Sequence, residues 1–218
     1  MEKDNIYAVI TGDIVKSRNL GERREEVLNL IREGINSLFS LKKGSFGGFS
    51  DIFRGDSFQL LVLNPSLALE IVVFLKAYLI AKITNKKIEL RVGIGIGKIE
   101  SFNPTNIRES DGEAFRLSGE AIDNISKYRR FLIKSNNPEL NRYFNFISSS
   151  IDAITSHWSP LQAEAILLWI SGENQISIGE KLGISQPAIH QRLQLGGHFA
   201  LKEAFELFEY LIRKHYNI

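Results

Sequence analysis

Two aspartates in this chain stand at turns, each beside positive charge. Asp13 closes the apolar run Ile6-Tyr7-Ala8-Val9-Ile10-Thr11-Gly12, and Lys16, Ser17 and Arg18 come just after it. Asp56 follows Arg54 and Gly55 and precedes the apolar run Ser57–Leu63. If the two carboxylates meet, a backbone carbonyl such as that of Ile14 completes an all-oxygen site for Mg²⁺ that shares ligands with a phosphate. The free N–H groups of a helix opening after Asp13, with Lys16, Ser17, Arg18 and Arg54, would then suit the phosphates of a nucleotide. Taken singly, Asp13 reads as a cap at a strand–helix junction and Asp56 as a turn residue. Taken together they read as a metal–nucleotide site. Gly93, Gly95 and Gly97 read as close packing rather than phosphate contact.

A second polar set lies near the other end. Gln186, Ala188, His190, Gln191, Arg192 and Gln194 take the outward positions of a short helix whose Ile189 and Leu193 face inward. Glutamine bonds adenine in two places, and arginine bonds guanine or phosphate. Gln186, His190, Gln191, Arg192 and Gln194 are therefore the expected DNA-contacting residues. The segment before them supports this. Ile178–Leu182 predicts a short helix, Gly183 allows a left-handed turn, and Ile184 plugs that turn. Ser185 stands where a cap is needed, with Pro187 in the first turn. Gly179 keeps the two helices close. Ser159-Pro160 begins a preceding helix through Ile170, and a loop from Ser171 to Gln175 joins it to the next. The result is a helix-turn-helix, although the same helices would also serve as a plain bundle. Leu201–Lys214 predicts a last helix that caps the bundle or forms a dimer contact.

The elements that must carry these two sets can be read from periodicity. Ile6–Asp13 reads as a buried strand, Gly21–Phe39 as a helix, Phe49–Arg54 and Ser57–Leu63 as a hairpin around Gly55-Asp56. Asn64 to about Ile83 reads as a helix, Lys87–Gly97 as a strand, Gly112–Lys127 as a helix, Arg130–Lys134 as a short strand and Pro138–Thr155 as a helix. The rest of the chain is helical. The fold class is α+β, a ferredoxin-like βαββαβ core followed by an all-α part.

Charge divides the chain at the same place. It holds 27 Lys/Arg and 25 Asp/Glu, of which five and six lie from Ser156 onward, leaving 22 and 19 before it. All four histidines also lie after that point. Two domains are expected, 1–155 and 156–218. The slightly acidic second one should bind DNA weakly as a monomer, because phosphate contacts supply most of the non-specific affinity. A homodimer is the expected remedy. There is no cysteine, which excludes disulfides, thiol nucleophiles and thiolate metal sites. The longest apolar-rich run, Leu67–Ile83, is interrupted by Glu70, Lys76 and Lys82 and is too short to cross a bilayer. No signal core opens the chain. A cytoplasmic protein with no membrane partner is expected.

Over roughly residues 6–125 the chain resembles the class III nucleotide cyclases. Thr11-Gly12-Asp13-Ile14-Val15-Lys16-Ser17 is similar to their first metal motif, Arg54-Gly55-Asp56-Ser57-Phe58 to their hairpin motif, and Arg91–Gly97 to the strand after the hairpin. Gly112–Glu120 falls where they carry a catalytic helix. The resemblance implies Asp13 and Asp56 as metal ligands. It also shows departures. Arg116 and Glu120 stand where the cyclases place their catalytic asparagine and arginine, and Ile52 where they place a substrate-selecting lysine. The cyclase-like part is thus expected to be catalytically degenerate. The chain as a whole resembles the bacterial SatD family, from Ile10–Arg18 at one end to the helix-turn-helix at the other.

These readings together give a DNA-binding transcriptional regulator whose cyclase-like part senses a nucleotide or other phosphorylated ligand. An active cyclase or nucleotidyltransferase is the first alternative. A non-enzymatic protein-interaction module is the second.

Overall fold

The apolar run after residue 6 becomes the central strand. In the computed structural model, which describes residues 5–21, 23–41, 48–53, 57–83 and 88–218, β1 spans Tyr7–Ile14. A single 3₁₀ turn, Ser17–Leu20, leads into α1, Arg23–Leu41. Next come the antiparallel pair β2, Gly48–Phe53, and β3, Ser57–Val62, then α2, Ala68–Lys82, and β4, Leu90–Gly97. α3, Glu113–Asp123, leads to β5, Phe131–Lys134. The five strands form one mixed sheet in the order β2-β3-β1-β4-β5, in which only β4 and β5 run parallel. The expected succession of strand, helix, hairpin, helix, strand, helix and strand is the observed one, within an α+β architecture.

The period of two in β1 assigns its side chains to opposite faces. Ala8, Ile10 and Ile14 join the main core beneath α1 and α2, with Leu60, Val62, Ile94 and Ile96 from the neighbouring strands. Tyr7 and Val9 point the other way, into a smaller cluster with Ala114 and Phe115 of α3. α3 lies close on β4 because the strand is glycine there. A Cβ on Gly93 would stand 2.6 Å from the Ser118 carbonyl oxygen, and one on Gly95 would collide with the backbone of α3.

α2 is apolar on every side, and nearly all of it is buried. Such a helix must be covered all round. The sheet and α1 cover part of it. α4, Pro138–Thr155, α5, Pro160–Ile170, and α8, His198–Tyr216, cover the rest. α6, Gln175–Leu182, and α7, Gln186–Leu195, pack on α5. One continuous set of buried residues therefore runs from Ile10 and Phe58 through Val72 to Ile166, Ile189 and Phe208. Composition changes near residue 156, but the core does not break there.

Caps fix the helix starts more closely than periodicity does. Asn137 accepts a hydrogen bond from Leu140 N, and Ser159 and Gln162 form a reciprocal capping box. α6 starts three residues before Ile178, because Asn174 accepts from the N–H groups of Ile176 and Ser177. Ser185 occupies the N-cap position of α7, as expected, but its side chain makes no capping bond. The last helix starts at His198 rather than Leu201, after Gly197 in a left-handed conformation.

Candidate functional site

One face of the sheet carries a polar surface at the end of β1. Register explains how it forms. Asp13 stands opposite Ser57 of β3 on one side and Arg91 of β4 on the other. Two residues back, Thr11 stands opposite Gln59, which in turn faces Asp51 of β2. Paired residues share a face, so Asp51, Gln59, Thr11, Ser57, Asp13 and Arg91 lie on the side away from α1 and α2.

Arg91 grips Asp13 with two donors, Nε to Oδ1 at 3.1 Å and Nη2 to Oδ2 at 2.5 Å. The pair is partly open, with Asp13 21% and Arg91 42% exposed. Accepting oxygens of Asp13 hold the Arg91 guanidinium above the usual arginine range, and the nearby charge of Asp123 adds to this. Beside the pair, Ser118 donates to the Phe115 carbonyl, so Thr11 supplies the proton of the 2.9 Å Thr11–Ser118 contact. Thr11 Oγ1 accepts in turn from Gln59 Nε2 at 3.2 Å. At the edge of the sheet Arg108 donates to Asp51 at 3.0 Å.

The expected metal pair is only half placed. Asp56 and Arg54 lie outside the described residues, as does the side chain of Arg18. Ser57, the neighbour of Asp56 in sequence, is directly opposite Asp13. Arg91 gives each Asp13 oxygen one donor and balances its charge, so an ion bound through both oxygens would have to displace the guanidinium. Among the described residues no three histidine or carboxylate side chains gather as around a metal.

The expected phosphate cradle is corrected in two respects. Asp13 is succeeded by one short 3₁₀ turn and not by an α-helix start, because Lys16 takes a left-handed conformation, φ 56° and ψ 37°. Such a conformation costs a non-glycine residue about 1–2 kcal/mol. Ser17 is buried, while Lys16 is exposed. The helix positions implied by the cyclase resemblance lie toward the other end of β4. Arg116 bonds Glu100 and Asp111, and Glu120 bonds Lys134 at 2.8 Å. Arg116 and Glu120 line a cleft of about 560 Å³ with Lys98 and Glu113.

In the C-terminal segment, α6, the left-handed Gly183 and α7 form a tight corner. Gly179 lets the turn close, since a Cβ there would stand 2.9 Å from the Ile184 carbonyl. Ile178, Ile189 and Leu193 are buried between the helices. Gln186, His190, Gln191 and Gln194 are exposed on α7, as expected. Arg192 is not an outward residue: it is half-buried and turns toward Glu164 of α5, 3.7 Å away. Three more of the five cations here also face carboxylates. Lys181 bonds Glu173, Lys202 lies 3.7 Å from Glu206, and Arg213 bonds Glu209 at 2.8 Å.

Sequence reasoning passed over Arg91, Ser118, Asp51 and Arg108 as site residues. Arg91 had a legible signal, since antiparallel pairing of the first and fourth strands sets position 91 against position 13.

The fold and this polar face define an α+β protein with a five-stranded mixed sheet, extended by a helical C-terminal segment. The chain belongs to the SatD family, whose model matches residues 7–202. None of the curated proteins matches it. Among solved structures it is similar to the guanylyl cyclase Cya2, with 17% identity, TM-score 0.43, and coverage of 59% of this chain and 74% of that one. It is also similar to adenylate cyclases from Trypanosoma brucei, with 13% identity, TM-score 0.45, and coverage of 61% and 73%. A third is the GGEEF domain of a diguanylate cyclase from Vibrio cholerae, with 16% identity, TM-score 0.41, and coverage of 61% and 84%. No described helix is long and apolar enough to cross a membrane.

Proposed function

We propose that this protein is a DNA-binding regulator. In this reading residues 156–218 are the output, a helix-turn-helix read through α7. Residues 1–155 form a ferredoxin-like, cyclase-like module that responds to a nucleotide or another phosphorylated ligand. The observation that carries it is the corner of α6, Gly183 and α7, with Gln186, His190, Gln191 and Gln194 exposed together on one helix face. Side chains of this kind on one exposed helix match base edges in the major groove.

Charge sets a condition on the reading. Lys181, Arg192, Lys202 and Arg213 each have a carboxylate partner, so few cations are free for phosphates. One protomer should bind DNA weakly and with a shallow salt dependence. A homodimer on a two-fold site supplies the missing affinity.

The test is selection from a random duplex library with the full chain, with and without nucleoside triphosphate and Mg²⁺. An enriched sequence is expected, and Gln191→Ala should weaken it by about 1–3 kcal/mol without lowering the melting temperature. If no sequence is enriched under any condition, the regulator reading is lost and a protein-interaction module takes its place.

An enzyme reading also draws on the polar sheet face, where Asp13 stands beside the hairpin. Against it, Arg116 and Glu120 are tied to neighbours of opposite charge rather than free for a substrate. Product formation from any nucleoside triphosphate with Mg²⁺ or Mn²⁺, lost in Asp13→Ala, would reverse that preference.

A further inference from the structure

A second cavity lies on the opposite side of the core from the polar face, between α2, the start of β4, α4 and the first turn of α5. It encloses about 620 Å³. That volume suits a small organic molecule. One wall is apolar, formed by Leu79, Ile80 and Ile83 with Ile88 and Leu90. The other is charged, with Lys76, Arg129 and Arg130 against Glu89 and Asp152.

The charges are not equivalent. Asp152 is saturated: Oδ1 accepts from Lys76 Nζ at 3.0 Å, and Oδ2 accepts from the N–H groups of Arg130 and Phe131 at 2.8 and 3.0 Å. Lys76 also donates to Thr155. Arg130 donates to Glu89 at 2.8 Å. That leaves Arg129. Among the described residues its guanidinium donates to neutral oxygens, the Asn145 carbonyl at 3.1 Å and Ser149 Oγ at 2.9 Å. Its Nε is shielded from solvent and donates to no atom among the described residues. A guanidinium with donors to spare, beside an apolar wall, suits a planar anionic group.

Aromatic rings complete the lining. Tyr128 is 83% exposed at the rim, and Trp158 is buried in the wall. The indole N–H of Trp158 donates to the Gly196 carbonyl at 2.8 Å, at the C-terminal end of α7. A molecule against Trp158 therefore touches the residue that anchors α7.

We propose that this cavity is a binding site for a small amphipathic anion, an aromatic or aliphatic body bearing a carboxylate or phosphate that Arg129 receives. The site stands whether or not α7 meets DNA.

The test uses the full chain carrying Trp169→Phe, which leaves Trp158 as the one indole reporter. Phenyl phosphate, 3-phenylpropionate, neutral 3-phenylpropanol and inorganic phosphate are titrated to millimolar concentration by fluorescence and calorimetry. At least one aromatic anion should saturate, and which of the two binds more tightly assigns the headgroup. The neutral alcohol and inorganic phosphate should each bind at least about tenfold more weakly. Arg129→Gln should weaken the anion by about tenfold or more. Ala153→Phe should fill the cavity and abolish the signal while the melting temperature holds, since Ala153 is exposed in its lining. Absence of saturation by both anions, equal binding of the neutral alcohol, or indifference to Arg129→Gln and Ala153→Phe would each overturn the proposal.

Discussion

Asp13 and Asp152 each hold a cation, under opposite conditions. The Asp13–Arg91 pair sits at the end of the central strand on an open sheet face. The Asp152–Lys76 pair sits inside the junction of α2 and α4, where Asp152 is 15% and Lys76 8% exposed. Water can replace either partner in the first pair. In the second, packing leaves water little access, and Asp152 also holds the N–H groups that begin β5. The first arrangement is therefore cheap to open, as a ligand site must be. The second is structural, and the ligand chemistry beside it falls to Arg129.

The contrast breaks most sharply at Asp152. Asp152→Ala leaves a buried ammonium and two backbone donors without an acceptor, and should cost about 3–5 kcal/mol in urea unfolding. A loss below about 1 kcal/mol would put this pair on the footing of a surface one. Next in size is Trp158→Phe. It removes the bond to Gly196 and strands a buried carbonyl, for an expected loss of about 1–3 kcal/mol by the same measurement. Asp13→Asn should cost no more than about 1 kcal/mol, because its partner remains solvated. A loss matching that of Asp152→Ala would make the open face structural and remove it from consideration as a ligand site.

The smallest effect is in pH. Burial pushes Lys76 below its ordinary value of 10.5, while Asp152 beside it pushes the other way and loses. Between that lowered value and 10.5 the unfolded chain binds more protons than the folded one, so this group makes stability rise with pH there. Lys76→Met should lack that rise. The difference in unfolding free energy, wild type minus variant, should climb as pH approaches 10.5 and be flat below the window. A difference that falls instead would mean Asp152 outweighs burial.

Most elements were legible because their signals are local. Val27, Ile31, Ile35 and Leu38 recur at helical spacing and become the buried face of α1. Gly183 between two short apolar-faced segments marks a corner, and the corner is there. Two misplaced starts are set by the residue before the helix, the Asn174 side-chain cap of α6 and the left-handed Gly197 of α8, which periodicity does not register. In the polar face, Asp13 was legible as a strand-end carboxylate from local pattern alone, whereas finding Arg91 takes the further step of pairing the first and fourth strands in register. Arg192 was misjudged for a related reason. Its helical position is outward on an isolated helix, yet Glu164 on α5 draws it inward.

Lys76 shows where the division falls. By itself the sequence determined that a helix rich in apolar residues runs from Asn64 to about Ile83, because composition and spacing act within a few turns; the structure has it at Ala68–Lys82. Such a helix must be covered, and Lys76 in its middle is buried with it while Lys82 at its end reaches solvent. Only the tertiary structure decided what encloses them: Asp152, 76 residues further along, the cavity beside it, and Trp158 reaching to Gly196. Those contacts depend on how α2, α4 and α5 cross, and crossing is fixed by the packing of whole faces rather than by any stretch of neighbouring residues.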